Sequence, residues 1–113
     1  MTMDHDDLLD KHCSPLHSVD AAMSKDEIRV HLAKVPGWQL RDGAVEKSFT
    51  FPDYHHTMAF VNAVAWLAHR EDHHPDLAVG YGRCTVRYST HSVHGISIND
   101  FICAAKVDAL LLP

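Results

Sequence analysis

The apolar residues of this chain change period several times along its length, and that changing period limits the folds open to it. Ile28, Leu32 and Val35 recur at helical spacing, as do Phe60, Val64 and Leu67, and again Ile98, Phe101, Ile102, Ala105 and Leu112. Between these stripes the period drops to two: Trp38 with Leu40, Val45 with Phe49 and Phe51, Leu77 with Val79, and Cys84 with Val86, Tyr88 and Thr90. Side chains line one face of a helix every three to four residues and alternate across a strand, so the element order reads α-β-β-α-β-β-α. A helix that is apolar along one stripe must bury that stripe. A four-stranded antiparallel sheet with three helices on one face gives all three a shared partner, which makes the expected class α+β.

Local chemistry supplies the boundaries. Ser24 and Glu27 have capping-box spacing, and Met23 and Ile28 can close a hydrophobic staple over the first turn. Pro36-Gly37 ends that helix, and Asp42-Gly43 offers the positive φ angles of a tight hairpin turn. Asp53 can cap the longest helix, which runs to about Glu71 before Pro75 turns the chain. Gly80 to Arg83 makes a bend, and Ser97 with Asp100 repeats the capping-box spacing with a shorter acid. Residues 1–22 carry acids, histidines and scattered apolar residues, so they are expected to form a flexible N-terminal arm outside the core; residues 23–113 form the domain.

Composition narrows the function. At 113 residues with 46% hydrophobic and 22% charged, the chain suits one soluble globular domain. A net charge of -5 with interleaved signs gives no basic stripe, so nucleic acid is not an expected direct ligand. No apolar run approaches membrane-spanning length, and the acidic start does not resemble a secretory signal. Cys13, Cys84 and Cys103 are an odd number without a CxxC pair, which argues against a disulfide framework and fits a cytoplasmic location. The exposed face and edge strands of such a sheet are commonly covered by self-association, so a homo-oligomer is expected, a dimer or tetramer.

Chemistry concentrates in His69-Arg70-Glu71-Asp72-His73-His74-Pro75 and its downstream partners Tyr81, Ser89-Thr90-His91 and Asp100. Histidine is the side chain whose ordinary pKa permits proton exchange near neutrality, so this convergence points to proton transfer or metal binding. His69 and His73 stand four apart, which on a helix would align them as a zinc pair, with His91 or His94 as a third ligand. The HREDH order lacks the glutamate arrangement of HExxH, no thiolate lies nearby, and no metal is assigned. His55, His56 and His94 are read as exposed or loop residues, and Cys84 and Cys103 as small core hydrophobes.

The tract resembles the pterin-4a-carbinolamine dehydratase family. That pattern sets a polar residue ahead of His-His-Pro with three residues between, followed at fixed intervals by an aromatic residue, a histidine and an aspartate. Here these are His69, His73-His74-Pro75, Tyr81 after five intervening residues, His91 after nine and Asp100 after eight. The resemblance extends from about Ser24 to the C-terminus and includes Gly37-Trp38. It departs at His69, where relatives often carry an acid, and at Leu77, where they often carry an aromatic residue.

The resemblance implies a lyase acting on a 4a-hydroxytetrahydropterin. The 4a-hydroxyl leaves as water while N5 loses its proton, giving a quinonoid dihydropterin in a recycling step that supports a pterin-dependent aromatic amino acid hydroxylase. Hydroxide is a poor leaving group, and an imidazolium suits its protonation better than an ordinary carboxyl or ammonium. His73 and His91 would act as acid and base in an order the residues leave open, and His74 would hold the pterin and share the proton work. Asp72, Ser89, Thr90 and Ser92 would hold the polar edges of the ring; His69, Pro75, Tyr81 and Asp100 would support the cluster. Asp100 also has a plain reading as a helix-N-terminal acid favoured by the dipole. The reaction requires no cofactor. The alternative is a non-catalytic dehydratase-like binding protein, such as a Rubisco assembly factor in carboxysomes or a dimerisation cofactor for a transcription factor, since fold does not fix function.

Overall fold

Each helix that frames the sheet begins where a side chain replaces the hydrogen-bond partners missing from its first turn. In the structure, a computed structural model describing residues 4–112, Ser24 accepts the Glu27 amide and Glu27 accepts the Ser24 amide, opening α2 at Lys25–Leu32. Asp53 accepts the His56 amide at 2.8 Å and starts α3, Tyr54–Glu71. Ser97 and Asp100 form the second reciprocal box, opening α4 at Ile98–Ala109. These boundaries agree with the expected caps. One further helix, α1 at Asp4–Leu9, lies in the segment expected to be an arm.

The strands are β1 at Gln39–Arg41, β2 at Ala44–Thr50, β3 at Asp76–Val79 and β4 at Arg83–Tyr88. They form one antiparallel sheet in the order β1-β2-β4-β3. Asp42 and Gly43 both take positive φ, 50° and 80°, as the two-residue turn between β1 and β2 requires. Pairing Val45 with Tyr88, Lys47 with Val86 and Phe49 with Cys84 puts the apolar sets of both central strands on one face. The opposite face carries polar pairs: Ser48 bonds Thr85 at 2.7 Å, and Arg87 donates to Glu46. That face is not covered by the helices, as the alternation implies.

The core lies between the inner sheet face and the helices, centred on Val45, Phe49, Val86, Tyr88, Val64, Phe101 and Ile102. Phe49 and Phe60 rings meet at 4.8 Å, and His31 of α2 reaches Phe101 of α4 at 5.3 Å. Lys47, the polar member of the inward set on β2, extends over the Phe49 ring to pair with Asp108 at 2.9 Å. Trp38 donates to the same carboxylate. Among the described residues no helix is long and apolar enough to cross a membrane.

Two expectations need correction. Leu112 does not belong to the apolar stripe of α4: the helix stops at Ala109, and Leu112 is 63% exposed. Residues 1–22 are not all outside the core, because Leu8 is 1% exposed and packs within it. Helix α1 rests on α4, and Lys106 donates to the Leu9 carbonyl at 2.8 Å. A short acidic helix with one fully buried residue, Leu8, and one partly buried, Leu9, has too little apolar pattern to stand out as a helix in sequence. Burial of this depth makes Leu8→Ala cost about 2–5 kcal/mol in urea unfolding; a loss under about 0.5 kcal/mol, the range of surface substitutions, would contradict the packing.

Candidate active site

The site begins at the end of α3. After Glu71, Asp72 takes a left-handed conformation, φ 51° and ψ 44°, which aspartate tolerates better than most residues. The Asp72 amide donates to the His69 carbonyl at 3.3 Å and the His73 amide to the Ala68 carbonyl at 3.1 Å, the paired closure of a Schellman turn. The turn reverses the chain, and Pro75 then prevents any return to helix before β3 begins at Asp76. His73 therefore leaves the helix axis and meets the first turn of α4. The expected alignment of His69 and His73 on one helical side does not occur, because the helix ends between them. His69 is exposed and lies against the Trp66 ring at 5.5 Å.

Asp100 receives His73. Its side chain is 0% exposed, and a carboxylate so enclosed needs donors on both oxygens. Oδ2 accepts the Ser97 amide at 2.9 Å and the Thr90 hydroxyl at 2.8 Å. Oδ1 accepts His73 Nε2 at 2.6 Å. The hydroxyls run in one sense: the Asn99 amide donates to Ser97 Oγ, and Ser97 donates to Thr90, whose own proton goes to Asp100. The His73 ring stacks on Tyr88 with centroids 5.5 Å apart and planes 13° from parallel. Burial and the neighbouring Cys103 push the Tyr88 hydroxyl well above its usual range, so it serves as a neutral platform. With Nε2 committed to a carboxylate, Nδ1 is the nitrogen left for proton exchange.

Beside this pair lies a recess of about 190 Å³ between Cys13–His17 on one side, Glu71–His73 on another, and Thr90, Ser92 and Asn99. That volume is below the roughly 300–1,000 Å³ usual for small-ligand pockets, so it can admit one edge of a bicyclic ring and leave substituents at the rim. Of the residues singled out from sequence, Asp72, His73, Thr90 and Ser92 line it, and Asp100 stands behind His73. His74 and His91 are exposed, each adjacent in the chain to lining residues. His91 opens a short 3-10 turn, His91–Val93, instead of ending a strand, since β4 stops at Tyr88. Buried Val93 anchors that turn, and the Thr90–Gly95 bridge closes it. Tyr81 is 71% exposed in the β3–β4 bend, where its carbonyl accepts the Thr57 hydroxyl at 2.9 Å.

Sequence reasoning missed Cys13–His17, Glu71 and Asn99. Nothing in the apolar period marks the first group, whereas Glu71 and Asn99 had a usable signal: both are polar residues within otherwise inward-facing helical positions. Glu71 accepts the Cys13 amide at 2.8 Å and pairs with His12 at 2.9 Å, with Lys106 4.0 Å away. Burial raises its carboxyl, but the amide, His12 and Lys106 outweigh burial and hold it below the usual glutamate range. The Cys13 thiol, whose sulfur lies 3.4 Å from that of Cys103, is pushed far upward by its bond to Cys103 and by burial, so it remains protonated.

The sign of the Glu71 shift fixes its pH dependence. A depressed native carboxyl contributes stability fully above its unfolded pKa, about 4.3, and loses it as pH falls through the native value. Glu71→Gln should therefore destabilise the protein at pH 7 and approach the parent at pH 3 in urea unfolding; a gap independent of pH would contradict the assignment.

Comparison with known proteins follows the same residues. Residues 21–110 match the family model described as pterin 4 alpha carbinolamine dehydratase. A Nitrosospira multiformis protein named "Putative pterin-4-alpha-carbinolamine dehydratase" is 50% identical over 105 residues, covering 93% of each chain. A Xanthomonas campestris pv. campestris protein of the same name is 54% identical over 101 residues, covering 88% of this chain and 86% of its own. Among solved structures, a transcriptional coactivator/pterin dehydratase from Brucella melitensis superposes with a TM-score of 0.75 at 32% identity, covering 79% of this chain and 97% of that one. A pterin dehydratase-like protein identified as a RuBisCO assembly factor in the alpha-carboxysome gives 0.54 at 27% identity, covering 65% and 84%. With its sequence matched over residues 21–110 and its α+β sheet shared with these structures, this chain belongs to the pterin-4-alpha-carbinolamine dehydratase family.

Proposed function

We propose that the chain is a hydro-lyase converting a 4a-hydroxytetrahydropterin to a quinonoid dihydropterin and water, a step in pterin cofactor recycling beside an aromatic amino acid hydroxylase. The observation that carries this reading is the His73–Asp100 pair at 2.6 Å beside a recess sized for the edge of a flat ring. The C4a–O bond breaks, the departing oxygen takes a proton, N5 gives one up, and a C4a–N5 double bond forms. Each proton needs a group able to exchange it near neutrality, and no electron leaves the substrate.

His73 and His91 divide the two transfers. Asp100 keeps His73 in one tautomer and one orientation, so Nδ1 meets the substrate without a reorganisation cost. His74 holds the pterin at the rim and shares the proton work. Asp72, Ser89, Thr90 and Ser92 engage the ring's polar edges, chiefly through their backbone groups. His69 and Pro75 support the turn that presents His73, and Tyr81 ties the β3–β4 bend to α3. The uncovered sheet face and the edge strands β1 and β3 favour a homo-oligomer, a dimer or tetramer. Free thiols at Cys13, Cys84 and Cys103 suit a cytoplasmic setting.

The likeness to the assembly factor and to the transcriptional coactivator/pterin dehydratase supports a second reading, a binding protein without turnover acting in carboxysomes or on a transcription factor. A buried, fully bonded carboxylate aimed at a histidine favours the enzyme. His73→Ala and His91→Ala should each lower the dehydration rate of a 4a-hydroxytetrahydropterin by about 10²- to 10⁴-fold. Unchanged rates in both would remove the lyase, and a stoichiometric protein partner together with absent pterin binding would favour the second reading.

A further inference from the structure

We propose that residues 13–17 are a built wall of the recess and that they set which substituent at C6 of the pterin the site accepts; this rests on the proposed dehydratase reaction. Three connections hold the segment. Glu71 takes the Cys13 amide on Oε1 and His12 on Oε2. Asn99 grips Ser14 at two points, accepting its amide at 3.2 Å and donating to its carbonyl at 2.8 Å. Cys13 Sγ meets Cys103 Sγ at 3.4 Å and donates to the Asn99 carbonyl.

Glu71 and Asn99 are 6% and 5% exposed, and both direct their side chains at this segment's polar groups. Polar groups buried so deeply cost stability unless they are satisfied, and here residues of this segment satisfy them. The segment is therefore part of the folded site and not a strand of chain laid over it. It also lies upstream of the region matched by the family model, which begins at residue 21, so this wall comes from outside the part of the chain that the model describes.

Its position dictates what it would sense. With C4a and N5 facing His73, the next ring atom is C6, bonded directly to N5, and its substituent is the first part of the ligand to project past the reacting edge. A recess of about 190 Å³ leaves that substituent against the rim. Ser14, Pro15, Leu16 and His17 offer it an apolar surface flanked by polar groups, which suits a short hydroxylated alkyl chain.

The test uses the full chain and two substrates, 4a-hydroxytetrahydropterins carrying a methyl or a 1,2-dihydroxypropyl group at C6. Leu16→Ala, at a partly exposed position, and Asn99→Ala, which releases Ser14, should each change the ratio of the two KM values by about fivefold or more, on the scale of a small pocket contact. The ratio of the two kcat values should stay within about twofold, since the proton-transfer groups are untouched. A structural role alone would shift both substrates equally. If the parent turns over both substrates and Leu16→Ala leaves the KM ratio unchanged, the wall assignment is wrong and the dehydratase stands. If the parent turns over neither, the dehydratase reading fails and the wall fails with it.

Discussion

The candidate site is organised around a carboxylate sealed from water. Asp100 is reached by the Ser97 amide, the Thr90 hydroxyl and His73, which come from the α4 cap, the segment after β4 and the turn after α3. An enclosed charge with missing donors would be strongly destabilising, so the fold is constrained to bring these three pieces of chain together. The same bonds that satisfy Asp100 orient the imidazole. Position at the third residue of α4 adds the favourable field of the helix N-terminus. The helix-acid reading of Asp100 and its contact with one histidine are thus one arrangement: Oδ2 serves the cap and Oδ1 holds His73.

The architecture was readable because its information is local. Ser24 with Glu27, Asp42-Gly43, Asp53, and Ser97 with Asp100 mark boundaries by groups a few residues apart, and the apolar periods between them identify helix or strand. Spacing alone was misleading at the end of α3. His69 and His73 have the separation of helical neighbours, yet the left-handed Asp72 sends them in different directions, and an aspartate before two histidines does not announce that turn. The short strand β4 likewise stops before His91, which the alternation had continued as strand.

The wall of the recess was illegible for a different reason. Leu8 and Cys13 sit in a segment whose neighbours are acids, histidines and small polar residues, so no amphipathic pattern predicts that they reach α4. Their contacts span the length of the chain: Cys13 meets Cys103, and Lys106 meets the Leu9 carbonyl. Such long-range pairings depend on tertiary geometry that periodicity does not encode. The recess beside the His73–Asp100 pair, which lies within the region matched by the family model, takes part of its boundary from outside that region. Family membership therefore accounts for the chemistry on offer more fully than for the ligand admitted.

The most direct test of the central claim is a double-mutant cycle on dehydration of a 4a-hydroxytetrahydropterin, using Asp100→Asn and His73→Ala alone and together. If Asp100 acts on the reaction through His73, Asp100→Asn slows the parent but leaves the residual rate of His73→Ala unchanged. Equal slowing in both backgrounds would show that the carboxylate does not act on the reaction by orienting His73.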